Sequence, residues 1–186
     1  MMKPIAQTYH RNLFPIVGDS APTTFVGLIS DTHIPSRAKA IPSKVFNIFD
    51  GISLILHAGD LTQLSVVDEL QQLAPVMAVS GNMDGDEVRE RLPKMNSVKV
   101  YNWKIGVIHD PGIFSGTERI KTIAKQNNFD ILVFGHTHRP SLRQAEEVLF
   151  INPGSPTNPL PPFITKPSVA MLKITKEKIE PEIIKI

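Results

Sequence analysis

Phe25-Val26-Gly27-Leu28-Ile29-Ser30-Asp31-Thr32-His33 carries the pattern from which the rest of the chain can be understood. A short run rich in apolar and β-branched residues, bounded by turn-prone polar ones, has the form of a buried strand. The strand then gives way to two metal-binding side chains, Asp31 and His33. The same arrangement recurs four times. Residues 52–56 lead into His57-Ala58-Gly59-Asp60, and 76–79 into Ser80-Gly81-Asn82-Met83-Asp84. Residues 104–108 lead into His109-Asp110, and 131–134 into Gly135-His136-Thr137-His138.

Helical patterns fall between several of these strands. Ser43 is placed to cap a helix reaching about Phe49. Ser65 with Asp68 makes a capping box for a helix facing inward through Val66, Leu70 and Leu73. A third helix spans 117–127, with Ile120, Ile123 and Ala124 inward. Strands alternating with helices imply an α/β sheet. In such sheets ligand sites form beyond the carboxyl ends of parallel strands. Parallel strands would therefore bring all five polar clusters to one edge.

Beyond Gly135, residues 141–144, 148–151, 169–174 and 179–184 read as strands without intervening helices. The expected fold class is thus α/β, with two mixed β-sheets packed face to face and helices outside. Residues 152–167 hold six prolines and read as a rigid, irregular connection. Residues 1–24 have three prolines and no period, and are expected to form an N-terminal extension to a domain spanning 25–186.

A length of 186 residues suits one domain with a substantial core. Apolar residues make up 41% and charged residues 20%, as in ordinary soluble proteins. The formal net charge of +2 comes with no basic stripe, so no nucleic-acid surface is expected. The absence of cysteine excludes disulfides and thiolate zinc sites. No apolar run approaches the roughly 20 residues of a membrane helix, and residues 1–24 have neither signal-peptide nor transit-peptide character. A cytoplasmic location is expected.

The donors in the five clusters are carboxylate, imidazole and amide. They suit Mn²⁺, Fe²⁺, Zn²⁺, Co²⁺ or Ni²⁺. Asp31, His33, Asp60, Asn82, His109, His136 and His138 are too many for one ion. Two ions about 3.5–4 Å apart and sharing a carboxylate would use them all. Gly59, Gly81 and Gly135 each precede a ligand, where positive φ or a close backbone approach is expected. His57 reads as a packed or supporting histidine rather than a ligand. His10 is given no role.

Asp31-Thr32-His33, Gly59-Asp60, Gly81-Asn82, His109 and Gly135-His136-Thr137-His138 resemble, in order, the motifs of the calcineurin-like metallophosphoesterase family. Asn152-Pro153-Gly154-Ser155 is similar to a turn in its small YfcE-like phosphodiesterase branch. The resemblance covers about residues 25–175 and implies the four-layer αββα sandwich of that family. It implies that Asp31, His33, Asp60 and His138 hold one divalent ion, commonly Mn²⁺, and that Asp60, Asn82, His109 and His136 hold a second, with Asp60 bridging. It further implies a phosphodiesterase that attacks a small phosphate ester in line with a metal-bridging hydroxide, with Asp60 and Asn82 serving catalysis.

Two positions depart from the pattern. Met83 stands where larger members carry a histidine that assists the leaving group, although the YfcE-like branch also lacks it. Asp110 stands where glycine is usual. His57, Asp84 and Asp110 are candidates to support ligands from behind, while Asp110 could equally face solvent. The alternative function is a scaffold, like the metallophosphoesterase-like subunit of the retromer coat, whose metal set is weakened. All seven positions are filled here, which favours the enzyme. A nucleotide-binding regulator lacks a supporting glycine-rich loop. Neither the substrate's organic part nor homo-oligomer formation can be read from the chain.

Overall fold

A computed structural model describes residues 23–110, 112, 117–160 and 165–186. The expected N-terminal extension thus lies almost wholly outside the described residues. The elements run β1 (Thr24–Ile29), α1 (Ser43–Ile48), β2 (Leu54–His57), α2 (Ser65–Leu70), β3 (Val76–Ala78), α3 (Asp86–Arg91) and β4 (Met95–Val100). There follow β5 (Trp103–Ile108), α4 (Thr117–Gln126), β6 (Ile131–Val133), β7 (Ser141–Ala145), β8 (Val148–Asn152), β9 (Ser168–Ile174) and β10 (Ile179–Lys185).

Two five-stranded sheets result, ordered β10-β9-β1-β2-β3 and β4-β5-β6-β8-β7. In the first, β1, β2 and β3 are parallel, while β9 joins β1 antiparallel with Val26 opposite Leu172. In the second, β5, β6 and β8 are parallel, and β4 and β7 are antiparallel edges. Both sheets are mixed, as the sequence led one to expect.

The two-residue period of each strand divides its side chains between layers. Val26, Leu28, Leu54 and Leu56 of the first sheet meet Ile105, Val107, Ile131 and Val133 of the second in the central core. Ile29 and Ile55 point the other way, onto Val45 and Phe49 near α1 and Val66, Val67 and Leu70 of α2. Leu132 and Phe150 of the second sheet pack outward with Ala124 of α4. The layers are therefore helix, sheet, sheet, helix. Gly106 lets α4's end approach closely: an added Cβ would lie 2.3 Å from the Phe129 ring.

The helix starts differ from expectation. Pro42 and Leu64, not Ser43 and Ser65, occupy the capping positions, and neither helix has a side-chain cap. The serines lie one residue inside, where their hydroxyls no longer reach the cap position. Strand β1 begins at Thr24, one residue early, because Thr24 is buried and its hydroxyl donates to Tyr101.

Candidate metal centre

The carboxyl ends of the parallel strands in both sheets meet at one edge. Backbone bonds join their loops across the first sheet, from Asp31 N–H to the Gly59 carbonyl and from His33 N–H to the Asp60 carbonyl. In the second sheet, Gly135 N–H donates to the His109 carbonyl. Between sheets, His136 N–H donates to the Asp31 carboxylate at 3.1 Å, and His109 Nδ1 lies 2.8 Å from the Ala58 carbonyl. All seven expected ligands converge on this seam.

They form two groups that meet at the carboxylates of Asp31 and Asp60. Asp31 Oδ1 lies 3.3 Å from His138 Nε2, which is 3.2 Å from His33 Nε2. Asn82 Oδ1 lies 2.9 Å from both His109 Nε2 and His136 Nδ1. Asp60 Oδ2 stands between the groups, 3.7 Å from His33 Nε2 and 3.2 Å from His109 Nε2. Its other oxygen accepts the Met83 N–H at 2.7 Å, which fixes the carboxylate's orientation.

The backbone at this edge is unusual. Asp31, His33, Asp60, His136 and His138 all have φ between 46° and 70°. The left-handed region costs a residue with a Cβ about 1–2 kcal/mol, so five of the seven expected ligands are held where an ordinary loop would not leave them. The three glycines divide the two expected roles between them. Gly59 has φ 86°, but Gly81 and Gly135 have no positive φ. They are needed for space: a Cβ on Gly81 would sit 2.1 Å from Asp60 Oδ1, and one on Gly135 would sit 1.9 Å from Ser30 Oγ.

Burial sets the electrostatics. It pushes the Asp31 carboxyl up and lowers His33 to about 4. Asp60 also suffers burial, but the hydrogen bond and charge of His109 outweigh it and hold the carboxyl below its ordinary value. His109 is correspondingly raised by Asp60 and Asp31 against the effect of burial.

His57 takes no place among the ligands. As the last residue of β2 it shares the parity of Ile55, toward the helices. Its Nδ1 accepts the Gly59 N–H, and its Nε2 is 3.1 Å from the Thr32 hydroxyl. Burial lowers its pKa to about 3. Asp84, buried and pushed up by burial, ties the loops together by accepting the N–H groups of Asp60, Thr62 and Gly81. Asp110 is exposed, with one oxygen accepting the Gly112 N–H of its own turn. Met83 is 52% exposed.

The sequence singled out Asn152-Pro153-Gly154-Ser155 as a turn, but not as part of a brace behind the site. Strand β8 is parallel to β6, so it ends at the same edge. Asn152 Nδ2 donates to the Gly135 carbonyl, Ser155 Oγ to the Asp31 carbonyl, and Thr157 Oγ1 to the Thr32 carbonyl. Serine and threonine among prolines carry no pattern that marks such a role.

The residues fit a divalent cation. His33 and His138 direct Nε2 atoms at one another and at Asp31, while His33 Nδ1 is buried without a hydrogen-bond partner among the described residues. A single shared proton satisfies one of these pairs, whereas a cation can satisfy three donors together. Asp31, His33 and His138 form one group able to hold an ion, and Asp31, Asp60 and His109 another. Oxygen and imidazole donors without thiolate match this purpose.

Comparison with known proteins agrees. Residues 25–177 match the calcineurin-like phosphoesterase superfamily domain. The chain belongs to this family. The phosphoesterase domain is 43% identical over 161 residues to a probable metallophosphoesterase of Methanothermobacter thermautotrophicus, covering 86% of this chain and 91% of the relative. It is 32% identical over 139 residues to a phosphodiesterase of Methanocaldococcus jannaschii, covering 69% and 82% respectively. Its fold matches that of vacuolar protein sorting 29 from Cryptosporidium parvum with a TM-score of 0.74, at 24% identity over 88% of this chain and 98% of the other. The family uses divalent metals to hydrolyse phosphate esters. No helix among the described residues is long and apolar enough to cross a membrane.

Proposed function

We propose that the protein is a phosphodiesterase with a dinuclear metal centre, manganese being the favoured ion. The observation that carries this reading is Asp60 Oδ2, placed between His33 and His109 at the junction of two complete donor groups. Asp31, His33, Asp60 and His138 would hold one ion, and Asp60, Asn82, His109 and His136 the other. Divalent ions held there would supply Lewis acidity and lower the pKa of water enough for it to act as a nucleophile near neutral pH.

The chain's own groups do the positioning. Ser30 Oγ donates to Asp31 Oδ2, and His136 N–H spans both carboxylate oxygens, which holds Oδ1 toward His138. Met83 N–H and the Asp84 carboxylate hold Asp60 from its side chain and its backbone. Asn82 presents its amide oxygen to His109 and His136 and its amide nitrogen to whatever negative charge develops nearby. Met83 has no proton to give, so the departing oxygen is left without a histidine acid. That limitation favours diesters with good leaving groups over monoesters. A cytoplasmic enzyme acting on a small phosphate ester is the accompanying expectation.

A scaffold role has the shared fold in its favour, but the complete donor set favours hydrolysis. Manganese-reconstituted protein should bind two ions by metal analysis and cleave bis(p-nitrophenyl) phosphate faster than p-nitrophenyl phosphate. A chelator should abolish both reactions. Full metal occupancy without turnover of either ester would support the scaffold instead.

A further inference from the structure

A cavity of about 380 Å³ opens beside Asn82 and His109, bounded also by Ser80, Gly81, Arg89, Lys94 and Asp110. Its position makes it continuous with the second donor group. Two cations stand in its wall, and both are fastened to the loop carrying Asn82. Arg89, from α3, donates from Nη2 to the Asn82 carbonyl at 2.7 Å. Lys94 follows Pro93, whose carbonyl accepts the Ser80 N–H at 2.9 Å.

Among the described residues neither cation is paired with a carboxylate, whereas the neighbouring Arg91 pairs with Glu87 at 3.4 Å. The one acidic wall residue, Asp110, gives an oxygen to the N–H of Gly112. The wall is therefore net positive. The reacting phosphate belongs over the seven donors, so these cations lie beyond it. An arginine fork and a lysine ammonium are suited to a further phosphate group. The volume matches a single small-molecule arm.

We infer that this cavity receives a second phosphate, carried on one arm of the ester, so that the preferred substrates are diesters bearing an additional phosphomonoester. This rests on the phosphoesterase reading above. The test compares two matched esters: p-nitrophenyl thymidine 5′-phosphate with and without a 3′-phosphate. The manganese-loaded wild type should favour the 3′-phosphorylated ester by about tenfold in kcat/KM, mainly through KM. Added salt should narrow the gap, since the cations are exposed.

Lys94→Gln should lower the ratio of the two kcat/KM values about fivefold or more, and Lys94→Arg should restore it. A wild-type ratio near one, or a ratio unmoved by Lys94→Gln, overturns the inference while leaving the phosphoesterase reading intact. If neither ester is cleaved, that reading fails. The cavity is then judged by calorimetric titration with thymidine 3′,5′-bisphosphate and with thymidine. Binding of the bisphosphate alone, weakened by Lys94→Gln, supports it. Equal binding of both, or binding of neither, overturns it.

Discussion

In the proposed centre Asp60 is the carboxylate shared by the two ions. An amide would keep the shape while removing the charge. Asp60→Asn should lower kcat/KM by on the order of 10²–10³-fold, as the loss of several kcal/mol of electrostatic stabilisation would. Full double occupancy in the variant's metal analysis would refute the bridging assignment.

His57 offers a prediction of a different kind. Folded, it stays neutral down to about 3; unfolded, it titrates at its ordinary 6.5. As pH falls through this window the unfolded chain binds a proton that the folded chain refuses. Stability associated with neutral His57 is present above about 6.5 and is lost progressively below it. In the chelator-treated protein, His57→Gln should therefore narrow its stability deficit against wild type by about 2 kcal/mol between about pH 7.5 and about pH 5. Urea midpoints give the comparison, and a pH-independent deficit would contradict it.

Met83 supplies the third residue-scale prediction. General-acid help is worth typically about 10²–10⁴-fold, and most for poor leaving groups. The wild type should show a steep dependence of rate on leaving-group pKa, and Met83→His a flatter one. A flat wild-type dependence with chemistry rate-limiting would mean another residue donates the proton.

At the scale of elements, the strands were legible because their apolar residues obey one period and stop abruptly. Residues 104–108, for example, keep Ile105 and Val107 in the central core before ending at His109. Strand β4 and helix α3 were not legible. Met95–Val100 buries only Val98 and Val100, and Asp86–Arg91 buries only Val88, so each apolar face is too short to stand out. The convergence of the seven donors was readable because their residue types repeat at strand ends. The left-handed backbone at Asp31 and Asp60 was not, because aspartate has no composition signal for it.

The loop after β8 was likewise invisible as a brace, yet it contacts Asp31 directly. Ser155→Ala would leave the buried Asp31 carbonyl with only the longer 3.3 Å bond from Thr157 Oγ1 in place of its 2.7 Å partner. The expected cost is about 1–3 kcal/mol, accompanied by a metal affinity about 10–100-fold weaker. Urea denaturation and manganese titration would measure the two effects. Unchanged affinity would confine Ser155 to stability.

For the molecule as a whole, the centre spans two sheets, so ligation should oppose their separation. An ion that binds only the folded chain adds about 2.7 kcal/mol at 100 times its Kd. Each kcal/mol raises Tm by about 2–4 °C in a protein of this size. Calorimetry should show manganese raising Tm by about 5–10 °C over the chelated protein. The same rise in an Asp31→Ala, Asp60→Ala double variant would place the binding elsewhere.

The pairing of β1 with β9 joins Thr24 to Ile174, almost from one end of the domain to the other. During synthesis β1 emerges early, but the neighbour on its far side, β9, emerges after every other element except β10. The nascent chain therefore has an open edge on its first sheet until residues 168–174 leave the ribosome. Ligands Asp31 to His138 are all translated before that moment, yet the sheet that aims half of them is unfinished. Metal captured earlier would meet a loosely held cluster open to exchange, so secure loading belongs to the time after β9 has paired with β1.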